Sequence, residues 1–201
     1  GTSFGSIPFT KHTLFSAGAD NSWGNNRHTS FRHLSYPKNI TDMEDVEPFQ
    51  ALFEWLYKVI NTSNMIITRA ENPVIDWQGS SATEDLQNKN TVVANARLVR
   101  AWAYRHLTYS FGAVPLSIEE ITGSNYRTDW ERTPVADIRA VMEEDLLFAI
   151  DNLPMRMTTN TVPSGAVARH YLGELYLAMG RPGDAKTILQ PLVESTEYTL
   201  M

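Results

Sequence analysis

The chain has 201 residues, 42% of them hydrophobic and 20% charged, enough for one domain with a genuine core or for a piece of a larger one. Seventeen Lys and Arg against 23 Asp and Glu leave a formal charge of −6 with no basic concentration, which argues against nucleic acid as a partner. With no cysteine, disulfides, thiol catalysis, iron–sulfur clusters and Cys-ligated zinc are excluded, and no run of about 18 apolar residues is present to span a bilayer.

Residues 1–41 scatter Gly5, Pro8, Gly18, Gly24 and Pro37 among asparagines and aromatics with no sustained period. This reads as ordered loop with one short strand at Phe4–Thr10. From Asp42 the texture changes. Asp42, Glu44, Asp45 and Glu47 ahead of Pro48 suit the first turn of a helix, where free N–H groups and the dipole favour negative charge. A metal site is the competing reading of those acids.

Phe49–Ala70 carries Phe49, Leu52, Phe53, Leu56, Val59, Ile60, Ile66 and Ile67 at spacings of three and four, the stripe of a core helix that Asn72-Pro73 ends. A loop over 73–82 contains Trp77 and Gly79. A second long helix fits Thr83–Phe111, closed by Gly112 as a left-handed cap and followed by Pro115. After a mixed, loop-like stretch between Val114 and Arg132, a third helix starts with Thr133 as N-cap and Pro134 at the first helical position. It runs to Leu153-Pro154.

Ser164–Met201 contains Leu172-Gly173-x-x-Tyr176, with Ala185 nine positions beyond the tyrosine and Leu189 four beyond that, a tetratricopeptide pattern. A glycine inside a helix costs about 1 kcal/mol relative to alanine, so Gly173 predicts a neighbouring helix in close approach. Arg181-Pro182-Gly183-Asp184 is read as the turn. Arg169 stands where the repeat usually has Trp, and Pro191 inside the second helix predicts a kink or an early end. Paired helices at 49–72 with 83–111 and at 133–153 with 164–180 extend the pattern. The expected fold is all-α: tetratricopeptide-like hairpins over 42–201 behind an irregular N-terminal loop segment over 1–41, together a single partial domain spanning 1–201.

Asn95-Ala96-Arg97-Leu98-Val99-Arg100-Ala101-Trp102-Ala103-Tyr104, continuing through Leu107 to Phe111-Gly112-Ala113-Val114-Pro115-Leu116, resembles the A-R-x-L-R-A-x-x-Y…L-x-x-x-F-G-x-V-P-L signature of the SusD/RagB outer-membrane nutrient-binding lipoproteins. Leu56–Asn61 with Asn64, Glu144–Pro154, Gly165–Gly180 and Tyr198-Thr199-Leu200 resemble four further segments of that family in the same order. The family's lipidated cysteine and first helix are not in this sequence, and family members continue for hundreds of residues beyond its end, so the chain resembles the N-terminal portion of such a protein. The resemblance implies a lipid-anchored, non-catalytic protein of the outer-membrane surface. It would capture oligosaccharides or peptides for a TonB-dependent barrel transporter and need no cofactor. The alternative class is a tetratricopeptide adaptor that binds a partner protein and no small ligand.

Sugar binding calls for flat aromatic faces beside amide and guanidinium groups. Trp23, Asn25, Asn26 and Arg27 offer that combination in one loop, and Trp77 with Gln78 offers a shorter version. Arg97 and Arg100 are read as partners of nearby carboxylates. The Tyr57, Asn61 and Asn64 line is read as buried polar groups joining neighbouring helices. His106 and His170 fall on core-like helices, Glu119-Glu120 point to opposite sides of extended chain, and Glu143, Glu144 and Asp145 follow the surface of the third helix. No pair of carboxylates is placed for glycosidic cleavage, and no His-x-x-x-His spacing occurs. No catalytic residue and no metal ligand is therefore expected.

Overall fold

The structure is a computed structural model that describes residues 43–159 and 161–197. The chain divides into two compact units, Gly1–Trp55 and Leu56–Met201. The described residues of the first unit form the opening half of helix α1, where Gln50 Nε2 donates to Glu54 Oε1 one turn on, at 2.8 Å. The expected strand at Phe4–Thr10 and the Tyr198–Leu200 segment lie outside the described residues.

The helices run in the order α1 (Met43–Arg69), α2 (Ala82–Phe111), α3 (Val135–Asn152), α4 (Gly165–Ala178) and α5 (Pro182–Glu194). Within the second unit α2 packs on α3, α3 on α4, and α4 on α5. An all-α fold of packed hairpins is thus present, with α2 paired to α3 at least as closely as α3 is to α4. The apolar stripe of α1 is realised: Leu56 and Ile60 are fully buried, with Ser63 and Asn64 on the next turn. This helix begins at Met43, so Pro48 sits within it rather than ahead of it, and it ends at Arg69, three residues before Asn72.

The turn from α1 to α2 is built by side chains. Asn72 Oδ1 accepts from Val74 N at 3.0 Å, and Asp76 Oδ1 accepts from Gln78 N at 2.9 Å, which supports Gln78 at φ +60°. A Cβ on Gly79 would lie 2.5 Å from Asp85 N, so only glycine fits against the start of α2. Ser81 caps that start by accepting from Glu84 N, while Glu84 Oε2 accepts from Ser80 N at 2.8 Å.

Helix α2 is buried around much of its girth: Val93, Ala94, Leu98, Ala101, Tyr104 and Leu107 are all inside, as expected of a central helix. Gly112 ends it at φ +70°, a backbone that L side chains avoid. Its ψ of −128° is not the left-handed helical cap that the sequence suggests but a glycine-specific extended conformation that sends the chain away from the helix.

The return to α3 is closed by a single antiparallel bridge, Val114 to Thr133, with Thr133 N donating to Val114 O at 3.0 Å. Thr133 is therefore spent on the bridge. The N-cap passes to Pro134, which has no side-chain capping bond, and the helix starts one residue later than expected.

Inside this connection an extended segment over 115–121 has no strand beside it among the described residues, and several of its backbone groups are taken by side chains instead. Tyr57 Oη donates to Pro115 O at 2.5 Å, and Asn64 Nδ2 donates to Ser117 O and Glu119 O at 3.1 and 2.9 Å. Asn61 makes a reciprocal pair with Ile121, its Nδ2 donating at 3.2 Å and its Oδ1 accepting at 2.7 Å. Tyr104 Oη donates to Ser117 O and accepts from Ser117 N at 2.9 and 2.6 Å; burial pushes this phenol up to about 12. The polar line on α1 thus serves mainly an extended segment rather than a neighbouring helix.

At the centre, Arg100 Nε and Nη2 donate to the two carboxylate oxygens of Asp145 at 2.8 and 2.7 Å. Its Nη1 donates to Asn64 Oδ1 at 2.8 Å and to Ile118 O at 3.3 Å. One guanidinium therefore joins α1, α2, α3 and the 115–121 segment. Arg97 lies 3.7 Å from the same carboxylate and stacks 4.4 Å from the Phe148 ring centre. Both arginines are committed to structure, and Asp145 is 1% exposed, not on the helix surface. Burial pushes the Asp145 carboxyl up against the opposing pull of Arg100.

The α4–α5 hairpin differs from its expected form in the turn. Gly180, at φ +72°, supplies it: Gly180 N donates to Leu177 O at 3.1 Å and Arg181 N to Tyr176 O at 2.8 Å, the paired bonds of a Schellman end. Pro182, Gly183 and Asp184 are already the first turn of α5, which continues through Pro191 to Glu194. Arg181 secures the corner by pairing with Glu143 at 3.0 Å and Asp184 at 2.5 Å and by stacking 4.3 Å from the Tyr176 ring centre. A Cβ on Gly173 would stand 2.6 Å from Leu189 Cγ, so the close approach anticipated from the sequence is present.

Two stability predictions follow from this packing. Gly173→Ala is expected to destabilise by roughly 1–2 kcal/mol, because overpacking outweighs the gain of about 1 kcal/mol in helix propensity. Combined with Leu189→Ala it should cost less than the sum of the two single changes; additive urea midpoints would refute the contact. Arg100→Met should cost about 3–5 kcal/mol by stranding a buried carboxylate, and Arg100→Met with Asp145→Leu should recover much of that loss in the same denaturation assay.

Candidate functional site

Of the residues marked for ligand contact, Trp23, Asn25, Asn26 and Arg27 lie outside the described residues. Trp77 is half-buried in the connection between α1 and α2. Asn88 Nδ2, nearly two turns into α2, donates to Trp77 O at 2.9 Å, and Gln78 Nε2 donates to Asp76 Oδ2 at 3.2 Å. With Gly79 N donating to Asp85 Oδ1 at 2.8 Å, the indole sits on a loop fixed at both flanks. A fixed loop suits recognition, since little ordering entropy remains to be lost on binding.

Three of the carboxylates that might do chemistry are paired with arginines. Glu120 pairs with Arg69 at 2.6 Å, Glu143 with Arg181, and Asp145 with Arg100. Glu119 and Glu144 are exposed on different elements. His106 meets the Trp102 ring edge-on at 4.6 Å. His170 is exposed, contrary to its expected core position, and its Nε2 lies 3.8 Å from Glu174. No cluster of three metal-ligating side chains occurs among the described residues.

Two aromatic clusters were not singled out by the sequence reasoning. On the helices, a groove is lined from α2 by Trp102, Arg105 and Tyr109 and from α4 by Tyr171. The Arg105 guanidinium stands 5.0 Å from the Tyr109 ring centre and 5.7 Å from that of Tyr171, and it pairs with Glu174 at 2.9 Å. In the α2–α3 connection, Tyr126 is 73% and Trp130 36% exposed. Between them Arg127 stacks 4.7 Å from the Trp130 ring centre while its Nε donates to Asp129 Oδ1 at 2.8 Å. The signal available in the sequence was an aromatic pair within a run of polar residues, Asn125-Tyr126-Arg127-Thr128-Asp129-Trp130, where no core position could claim either ring.

Comparison with known proteins places this architecture. A SusD-like family model, described as starch-binding associating with outer membrane, matches residues 5–177. The SusD-like protein P2 of Formosa agariphila is 29% identical over 143 residues, covering 71% of this chain and 26% of that protein. A SusD-like protein from Bacteroides fragilis superposes with a TM-score of 0.76 at 16% identity, over 95% of this chain and 35% of the other. A laminarin-binding SusD-like protein gives 0.74 at 20% identity, over 93% and 39%. The chain thus spans about a quarter of the curated relative and little more than a third of these structures. On the match across 5–177 and the shared helical architecture, the chain belongs to the SusD-like family, described as starch-binding and associating with the outer membrane.

Proposed function

We propose that the chain is the helical portion of a surface glycan-binding protein, one that captures oligosaccharides, or peptides, for delivery to a TonB-dependent barrel transporter. The observation that carries this reading is the family match over residues 5–177, joined to a scaffold in which Glu120, Asp145 and Glu143 are paired with arginines. The family is one of binding proteins rather than enzymes. Among the described residues no helix is long and apolar enough to cross a membrane.

In this reading the ligand-contacting residues are Trp23, Asn25, Asn26 and Arg27 of the N-terminal segment and, separately, Trp77 of the α1–α2 connection. The indole faces take the C–H side of a sugar ring, and the amides and guanidinium take its hydroxyls. The exposed helix faces, rather than the loops, meet the transporter.

Calorimetric titration of the protein with starch and laminarin oligosaccharides is expected to show saturable binding. Trp77→Ala should weaken it roughly 2- to 12-fold, the worth of one aromatic stack. Silence toward every glycan and peptide in a broad panel would overturn the proposal. For the transporter, charge reversal at Glu144, Asp151 and Lys186 on the exposed helix faces should reduce co-purification with the barrel, and unchanged recovery would count against that docking face.

A further inference from the structure

The connection between α2 and α3 is a built loop. Its base is fixed on one side by the Asn61–Ile121 pair and on the other by the Val114–Thr133 bridge. Within it, Thr122 N donates to Asn125 Oδ1 at 2.6 Å and Asn125 Nδ2 donates to Glu120 O at 2.7 Å, so the chain reaches Tyr126 already ordered. Yet this ordered loop leaves Tyr126 73% exposed and about a third of Trp130 in water, at 36% exposure. Exposed rings on a fixed backbone forgo burial worth about 25 cal/mol per Å2, and they retain it for a ligand.

The polar groups around the rings define what such a ligand is. Over residues 122–132, Arg127 and Arg132 balance Asp129 and Glu131, so the loop carries no net charge and does not select a charged partner. Arg127 is oriented by its stack on Trp130 and its pairing with Asp129. That pairing holds the guanidinium with its charge locally neutralised while leaving donors and carboxylate acceptors side by side. The Asp129 carboxyl is held below its ordinary range by the hydrogen bond from Arg127, so it stays an acceptor. Flat rings beside a matched donor and acceptor pair are complementary to an uncharged polyhydroxylated ring, which offers an apolar C–H face and vicinal hydroxyls that both donate and accept.

We propose that Tyr126 and Trp130, with Arg127 and Asp129, form a carbohydrate subsite on the α2–α3 connection, separate from Trp77 in the α1–α2 connection. It rests on the glycan-binding reading given above and adds a second point of attachment for a chain of sugars. Two weak subsites on one protein raise retention on a polymer far more than on a short oligosaccharide, because the second contact is intramolecular.

Native electrophoresis through gels containing laminarin or soluble starch tests this. The parent protein is expected to be retarded by at least one of the two polymers. Trp130→Ala and Tyr126→Ala should each weaken that retention roughly 3- to 10-fold, whereas Trp130→Phe should retain most of it. Tyr126 is 73% exposed, so Tyr126→Ala should leave the thermal midpoint at the parent's value. Trp130→Phe keeps a ring for Arg127 to stack on and controls for packing lost in Trp130→Ala; together they separate loss of binding from loss of fold. A parent that is retarded, with alanine variants retarded equally, overturns the subsite and leaves the glycan reading standing. Alanine variants that lose co-purification with the transporter but keep full retention overturn it in favour of a protein-docking loop. A parent that migrates unretarded in both gels and is also silent in calorimetry toward the whole glycan panel removes the glycan reading and the subsite together.

Discussion

The contact on which the rest of the second unit depends is the bidentate ion pair between Arg100 and Asp145. Taking both charges out of water is expensive, and the cost is recovered only because geometry and further hydrogen bonds are complete. Arg100 meets that condition by spending its remaining edge on Asn64 and the Ile118 carbonyl. The pair therefore does more than clip α2 to α3. It requires α1 and the extended 115–121 segment to be in place, since either one missing would leave a buried donor unsatisfied. Apolar packing along Leu56, Ile60, Leu107 and Ile138 supplies the bulk of the driving force, and the guanidinium selects which of many compact arrangements of those helices is the native one.

From this centre outward the structure becomes progressively more available for recognition. The 115–121 segment is bound by Tyr57, Asn61, Asn64 and Tyr104, and the loop that follows hangs from that fixed base. On the neighbouring corner, the α1–α2 connection is stiffened by short-range acceptors at Asn72, Asp76 and Asp85. Both connections present a tryptophan on backbone that is already ordered. Within the scaffold, Glu120, Glu143 and Asp145 are each paired with an arginine. In the proposed reading, ligand contact falls to what the connections display.

Much of the helical frame was legible in the sequence because its signals are local. Apolar spacing located the helices, and Gly173 announced a close neighbour because a helical glycine is costly unless a side chain such as Leu189 needs the space. The misplaced details are those where a long-range contact competes with a local rule. Thr133 has the chemistry of an N-cap, but its N–H and position are claimed by Val114, nineteen residues earlier. Pro182-Gly183 looks like a turn, yet Gly180 takes the positive φ and releases proline to the first helical turn, where its missing N–H does no harm. Asp145 sits among acids that look like a solvated face, and only the position of Arg100 across the helix interface reveals it as buried. The rings of Tyr126 and Trp130 carried no periodicity at all, and a loop without a period gives no indication of which residues it shows to water.

The way the 115–121 segment is satisfied has a bearing on how the protein behaves in company. An extended stretch normally leaves a row of amide and carbonyl groups that another polypeptide can adopt as a template, the usual route to strand addition and fibrous association. Here amide and phenol side chains occupy the carbonyls of Pro115, Ser117 and Glu119, and the N–H groups of Ser117 and Ile121 are likewise taken. Along the edge formed by residues 115, 117, 119 and 121, the segment keeps the reach of a strand while much of its backbone pairing capacity is already used within the molecule.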